Sequence, residues 1–163
     1  MIGDSTMANK DISGGKMERG WGMMLKNFFT EDVIVDNHAL NGRSSKSFIS
    51  EGHWPKVVEK IKPGDYVFIQ FGHNDEKDDP KRHTDPGTTF DENLRKFVKE
   101  TRMRGGIPVL FNSVVRRIFT NSKTAVADDD TRSNSSADLV EGDTLVDTHG
   151  DYLLSPRNVA REL

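Results

Sequence analysis

Three short polar clusters hold the residues best equipped for chemistry: Gly3-Asp4-Ser5 at the start, Asn41-Gly42-Arg43-Ser44 further along, and Gly72-His73-Asn74-Asp75 after a strongly apolar run. A serine hydroxyl becomes a nucleophile when a base takes its proton, and the oxyanion formed on the attacked carbonyl needs preorganised donors around it. Ser5 offers the hydroxyl. Gly42 has no Cβ, so its N–H can approach a reacting centre closely, and Asn74 brings side-chain amide donors. Each cluster also reads as a turn, because Gly, Asp, Asn and Ser favour turns through local hydrogen bonds, and Ser44 or Ser45 would cap a helix. Three turns in succession, each carrying the nucleophile or donor that acyl transfer requires, favour chemistry over coincidence.

The elements that must position these clusters are legible as apolar patterns. Val33-Ile34-Val35, Tyr66-Val67-Phe68-Ile69-Gln70-Phe71 and Ile107-Pro108-Val109-Leu110-Phe111 read as buried parallel strands, each ending in small or polar residues. Residues 20–29, 54–61 and 90–104 read as helices, and in the last Phe90, Leu94, Phe97 and Thr101 share one face at helical spacing. Alternating strands and helices imply an α/β fold, three layers α/β/α with a mainly parallel sheet of flavodoxin-like type. Ligands bind outside the carboxyl ends of such strands, where the polar clusters fall. Met1-Ile2 reads as the end of a first strand with Ser5 just beyond it, so the sheet is expected to be incomplete at both ends. The whole of 1–163 is expected to be one domain, with a polar insertion at about 120–144 that includes the glycosylation-type tripeptide Asn134-Ser135-Ser136.

Composition removes several function classes. A net charge of −3, with Lys and Arg dispersed, argues against a nucleic-acid partner. No run approaches the roughly 18 apolar residues of a membrane span, and Met1-Ile2-Gly3 does not begin an export leader. Without cysteine there is no thiolate metal site or disulfide. His73, Asn74, Asp75, His83 and Asp85 are possible ligands, yet their spacing matches no metal motif, so neither metal nor cofactor is expected. Trp21, between Gly20 and Gly22, is a better candidate than Trp54 for stacking on a sugar ring.

Taken together, Ile2-Gly3-Asp4-Ser5-Thr6-Met7, Glu18-Arg19-Gly20-Trp21-Gly22, Asn41-Gly42-Arg43-Ser44, Phe68 to Asp75, and His83-Thr84-Asp85-Pro86-Gly87-Thr88 resemble the SGNH (GDSL-type) hydrolases, within them the rhamnogalacturonan acetylesterase-like branch. The resemblance implies a serine esterase that removes acetyl groups from a plant cell-wall polysaccharide, pectin rhamnogalacturonan or xylan, through an acyl-enzyme. It implies Ser5 as nucleophile and Ser5 N–H, Gly42 N–H and the Asn74 side chain as oxyanion donors, with Asp4, Trp21, Arg43 and His73 toward the substrate. It also implies an exported protein whose partner is an acetylated oligo- or polysaccharide; the oligomeric state is left open. The family's Asp-x-x-His, which supplies base and orienting carboxylate, does not occur in these 163 residues. Asp147-Thr148-His149 has the wrong spacing and reads as a connecting segment, so weak turnover is expected. A binding protein that kept the cleft without the chemistry is the alternative, and a metal-dependent phosphoesterase a more remote one.

Overall fold

The structure, a computed structural model, describes residues 1–115, 119–120, 144–145 and 148–163. β2 (Tyr66–Gln70) lies between β1 (Ile2–Gly3) and β3 (Ile107–Phe111) in a parallel sheet, with Ile2 beside Ile69, Gly3 beside Gln70, and Gln70 beside Phe111. Side chains alternate across a strand. Ile2, Val67, Ile69 and Phe71 therefore face one layer, packed with Phe48, Trp54, Phe90, Leu94, Phe97, Tyr152 and Val159. Those residues come from α2 (Ser45–Ser50), α3 (His53–Val58), α4 (Thr89–Met103) and α5 (Ser155–Glu162) and from the 3-10 turn Gly150–Leu153. Phe71 sits 5.4 Å from the rings of both Phe48 and Phe97, and Phe97 meets Trp54 edge-on at 4.9 Å. The opposite face, with Phe68, Gln70 and Phe111, meets α1 (Trp21–Leu25), whose Trp21 ring lies 5.4 Å from that of Phe111.

The α/β class and the parallel sheet are as expected, and α4 matches the 90–104 pattern, with Phe90, Leu94, Phe97 and Thr101 all buried. Two expectations need correction. Residues 33–35 form no strand, and Ile34 is 90% exposed. The neighbour of β1 on that side is the segment 36–40, joined by the Met1 ammonium to Asp36 O (2.7 Å), His38 N to Met1 O (2.9 Å) and Leu40 N to Gly3 O (3.0 Å). Residues 33–35 lie past the end of this contact, and three β-branched residues without a ladder have nothing to hold them extended. The helix expected over 20–29 is also shorter, α1 giving way to a 3-10 turn at Lys26–Phe28. Its outer residues Phe28 and Phe29 have no core to join and remain exposed.

β4 (Phe119–Thr120) and β5 (Thr144–Leu145) pair antiparallel, Phe119 beside Leu145. The stretch expected as a polar insertion, Asn134 included, lies between them and outside the described residues.

Each fully buried large apolar side chain contributes about 1.5–3 kcal/mol, and truncating a buried Phe adds a cavity term. Phe97→Ala should therefore cost about 3–5 kcal/mol, lowering the urea midpoint at nearly constant slope. Phe28→Ala should leave the midpoint close to wild type, and equal losses would show that the core has been placed wrongly.

Candidate active site

The carboxyl end of β1 turns sharply, Met7 N and Ala8 N both donating to Asp4 O (3.2 and 3.0 Å). Asp4 Oδ1 accepts from Thr6 N (2.9 Å) and lies 2.8 Å from Thr6 Oγ1, an Asx-type brace of the same turn. Asp4, expected toward the substrate, is only 1% exposed. Its Oδ1 braces the inside of the turn, while its Oδ2 is buried with no hydrogen-bond partner among the described residues. Ser5 stands at the tip, partly exposed, and no hydrogen bond engages its N–H or hydroxyl among the described residues.

Gln70, at the end of β2, ties this turn to its surroundings. Its Oε1 accepts from Trp21 Nε1 (2.6 Å) and lies 3.0 Å from Thr6 Oγ1, while its Nε2 donates to Asn112 O (2.8 Å). Trp21 N also donates to Thr6 O (2.9 Å). The flanking glycines have a steric reason: a Cβ on Gly20 would stand 2.0 Å from Ala8 O, and one on Gly22 2.6 Å from Met7 O. Trp21 is thus partly buried and fixed against the turn that carries Ser5. Gln70 was missed in the sequence, although a lone amide inside an apolar strand signals a buried group that must find partners.

The second cluster is held against the first. Asn37 Nδ2 donates to Met7 O (2.9 Å) and Leu40 N to Gly3 O (3.0 Å). Gly42 follows at φ +73°, left-handed backbone that glycine adopts at no steric cost, and among the described residues its N–H makes no backbone hydrogen bond. Ser44, not Ser45, caps α2: its Oγ accepts from Ser47 N (3.1 Å) while Ser47 Oγ accepts from Ser44 N (2.9 Å). Arg43 is spread over its own loop, Nε to Glu51 Oε2 (2.9 Å) and Nη1 to Asn41 O (3.1 Å).

The third cluster completes the site. Asn74 is buried and its Nδ2 donates to Arg43 O (3.1 Å), which ties its side chain to the residue after Gly42. Asp75 is fully buried, accepting from Ser45 N, Ser45 Oγ, Gly72 N and Thr84 Oγ1. Burial pushes its carboxyl up from 3.8 to about 7; the bonds from Ser45 and Thr84 oppose that shift, and Asp4 adds to it.

All five histidines are engaged. His73 and His149 stack with ring centroids 4.5 Å apart, and the Nε2 atoms of both face Val114 O (2.8 and 3.0 Å). His149 Nδ1 also meets Glu76 Oε2 at 2.8 Å, so both of its ring nitrogens face acceptors and it sits in a packed pair. Asp147, its sequence neighbour, lies outside the described residues. His38, His53 and His83 each pair with a carboxylate two positions away, Asp36, Glu51 and Asp85. Among the described residues no group of three or more His, Asp or Glu side chains is placed to hold a metal ion.

The model of the GDSL-like lipase/acylhydrolase family matches residues 1–158. The chain belongs to that family. This GDSL-family chain is 42% identical over 119 residues to the rhamnogalacturonan acetylesterase RhgT of Bacillus subtilis, covering 73% of this chain and 50% of that protein. It is 37% identical over 122 residues to the probable rhamnogalacturonan acetylesterase YesY of the same organism, covering 74% and 55%. The chain thus spans about half the length of these curated relatives. A crystal structure of YxiM from Bacillus subtilis superposes with a TM-score of 0.72 at 26% identity, covering 99% of this chain and 40% of that one.

A raised folded-state pKa has a defined sign. Asp75 binds its proton more tightly folded than unfolded, so its stabilising contribution is complete below about pH 4 and is lost as pH rises through about 7. Urea midpoints of wild type and Asp75→Asn, measured from pH 4 to 8, should show wild type losing ground to the variant as pH rises. Parallel curves would mean that Asp75 does not titrate in this window.

Proposed function

We propose that this chain is the catalytic core of an acetylesterase acting on pectic rhamnogalacturonan, with Ser5 as nucleophile. The observation that carries the reading is the convergence of three separate chain segments on one spot. Leu40 N to Gly3 O holds the Gly42 loop against the Ser5 turn, and Asn74 Nδ2 to Arg43 O holds Asn74 against that loop. The names of RhgT and YesY support acetylated rhamnogalacturonan as substrate. An exported setting follows only from the family resemblance. Among the described residues no helix is long and apolar enough to cross a membrane.

In the proposed reaction Ser5 Oγ attacks the acetyl carbonyl carbon and gives its proton to a base. The carbonyl oxygen, now an oxyanion, is met by Ser5 N–H, Gly42 N–H and the Asn74 side-chain amide. Collapse breaks the bond to the sugar oxygen, which takes up a proton and leaves as the hydroxyl. Water then attacks the acyl-enzyme and releases acetate, restoring Ser5. Trp21, locked by Gln70, would flank the sugar.

The engagement of all five histidines favours a second reading, in which the chain binds acetylated saccharide with little turnover. Loss of a triad base costs several orders of magnitude, while an oxyanion hole alone keeps some rate over water.

Release of p-nitrophenol from p-nitrophenyl acetate and of acetate from acetylated rhamnogalacturonan separates the two. For the esterase, Ser5→Ala abolishes turnover and Asn74→Ala lowers kcat about 10²–10³-fold. For the binding protein, calorimetry finds saccharide affinity unchanged by Ser5→Ala and turnover near background. Turnover that survives Ser5→Ala would discard Ser5 as nucleophile.

A further inference from the structure

We propose that Asp75 is the positioning residue that holds the two halves of the oxyanion hole, Gly42 and Asn74, at a fixed separation. The proposal rests on the reading above, which assigns those donors. Asp75 touches no solvent, and its carboxyl gathers donors from three places in the chain. Ser45 N, at the first residue of α2 and three residues after Gly42, lies 3.0 Å from Oδ1 and 3.1 Å from Oδ2. Gly72 N, from the turn that carries Asn74, lies 3.1 Å from Oδ2. Thr84 Oγ1, from the loop before α4, lies 2.9 Å from Oδ1.

Ser45 Oγ donates to Oδ1 and in turn accepts from Asn93 Nδ2 of α4 (3.0 Å), so the clamp is anchored to the main helix layer. Tyr152 fastens the same stretch from the other side, its hydroxyl near Asp75 O (3.2 Å) and Thr84 O.

Asn74 Nδ2 to Arg43 O is a single bond between the two halves, and one bond leaves rotation free. The Asp75 to Ser45 contact supplies a second, independent point of attachment, and two points set both distance and angle. Oxyanion donors require this, because misplacement by about 1 Å can cost 10²-fold in rate. The ionised carboxyl fits this clamp because backbone donors reach both oxygens: an amide accepts on one side only and would set an N–H against Ser45 N or Gly72 N. The short side chain next to Asn74 thus faces away from the substrate and acts through its neighbours.

The test uses the 163-residue chain, ¹⁵N-labelled, with the Gly42 amide and the Asn74 side-chain amide as reporters and p-nitrophenyl acetate as substrate. Asp75→Asn should shift or broaden both reporters and lower kcat tenfold or more with KM within about twofold. Thr84→Val, which removes a donor to the same carboxyl from outside the oxyanion loops, should lower the unfolding midpoint without moving either reporter. If Asp75→Asn does not fold, Ser45→Ala carries the comparison and should move the reporters more than Thr84→Val does. A folded Asp75→Asn with both reporters unmoved overturns the proposal, as do reporters that follow Thr84→Val equally. Reporters that move as expected in a chain without Ser5-dependent turnover support the clamp and count against the esterase reading.

Discussion

Everything at the site hangs on the backbone pairing of β1, a strand of two residues. On one side Ile2 and Gly3 pair with Ile69 and Gln70, and on the other Met1 and Gly3 accept from His38 and Leu40. So short a strand has little stability of its own. It persists because Ile2 is fully buried against the helix layer, while Met7 and Ala8 are buried with Ala39 on the opposite face. Ser5 therefore inherits its position from a sandwich of contacts, and the turn beyond β1 needs only local bonds from Asp4 to keep its shape.

Beyond β1 two buried polar side chains, Gln70 and Asp75, tie the site together. Gln70 joins the Ser5 turn, Trp21 and the end of β3; Asp75 joins α2, its own turn and the loop before α4. Placing a carboxyl where no water reaches it is unfavourable, and burial raises the pKa of Asp75 although the bonds from Ser45 and Thr84 oppose that shift. The contact of buried His149 with Glu76 near the same strand ends follows the same rule, a ring nitrogen placed on a carboxylate oxygen. Such networks contribute little net stability but define one arrangement, because a partial version leaves a buried donor or acceptor unmade.

The two faces of the sheet are finished unequally. The α2 to α5 side carries a continuous aromatic cluster through Phe48, Phe71, Phe97 and Trp54. The α1 side has a small cluster around Met7, Ala8 and Ala39, and leaves Met17, Phe28 and Ile34 exposed. The rigid layer lies behind the strand ends and the thinner one carries Trp21, so the place of that ring depends on its hydrogen bond to Gln70 more than on depth of packing.

The sequence by itself determined the parallel α/β class, the face of α4, the family, and the three clusters at the strand ends. Those features are written in near-neighbour terms: an apolar period, a turn residue, a motif of a few positions. Only the tertiary structure decided what links the clusters, because Asn74 to Arg43, Asp75 to Ser45 and Trp21 to Gln70 are contacts between residues 31, 30 and 49 positions apart. It also removed the strand expected at 33–35, where local propensity had no partner to pair with, and showed Asp4 buried with its Oδ1 bracing its own turn. Which buried donor meets which acceptor depends on how distant segments are brought together in space, and no local pattern encodes that.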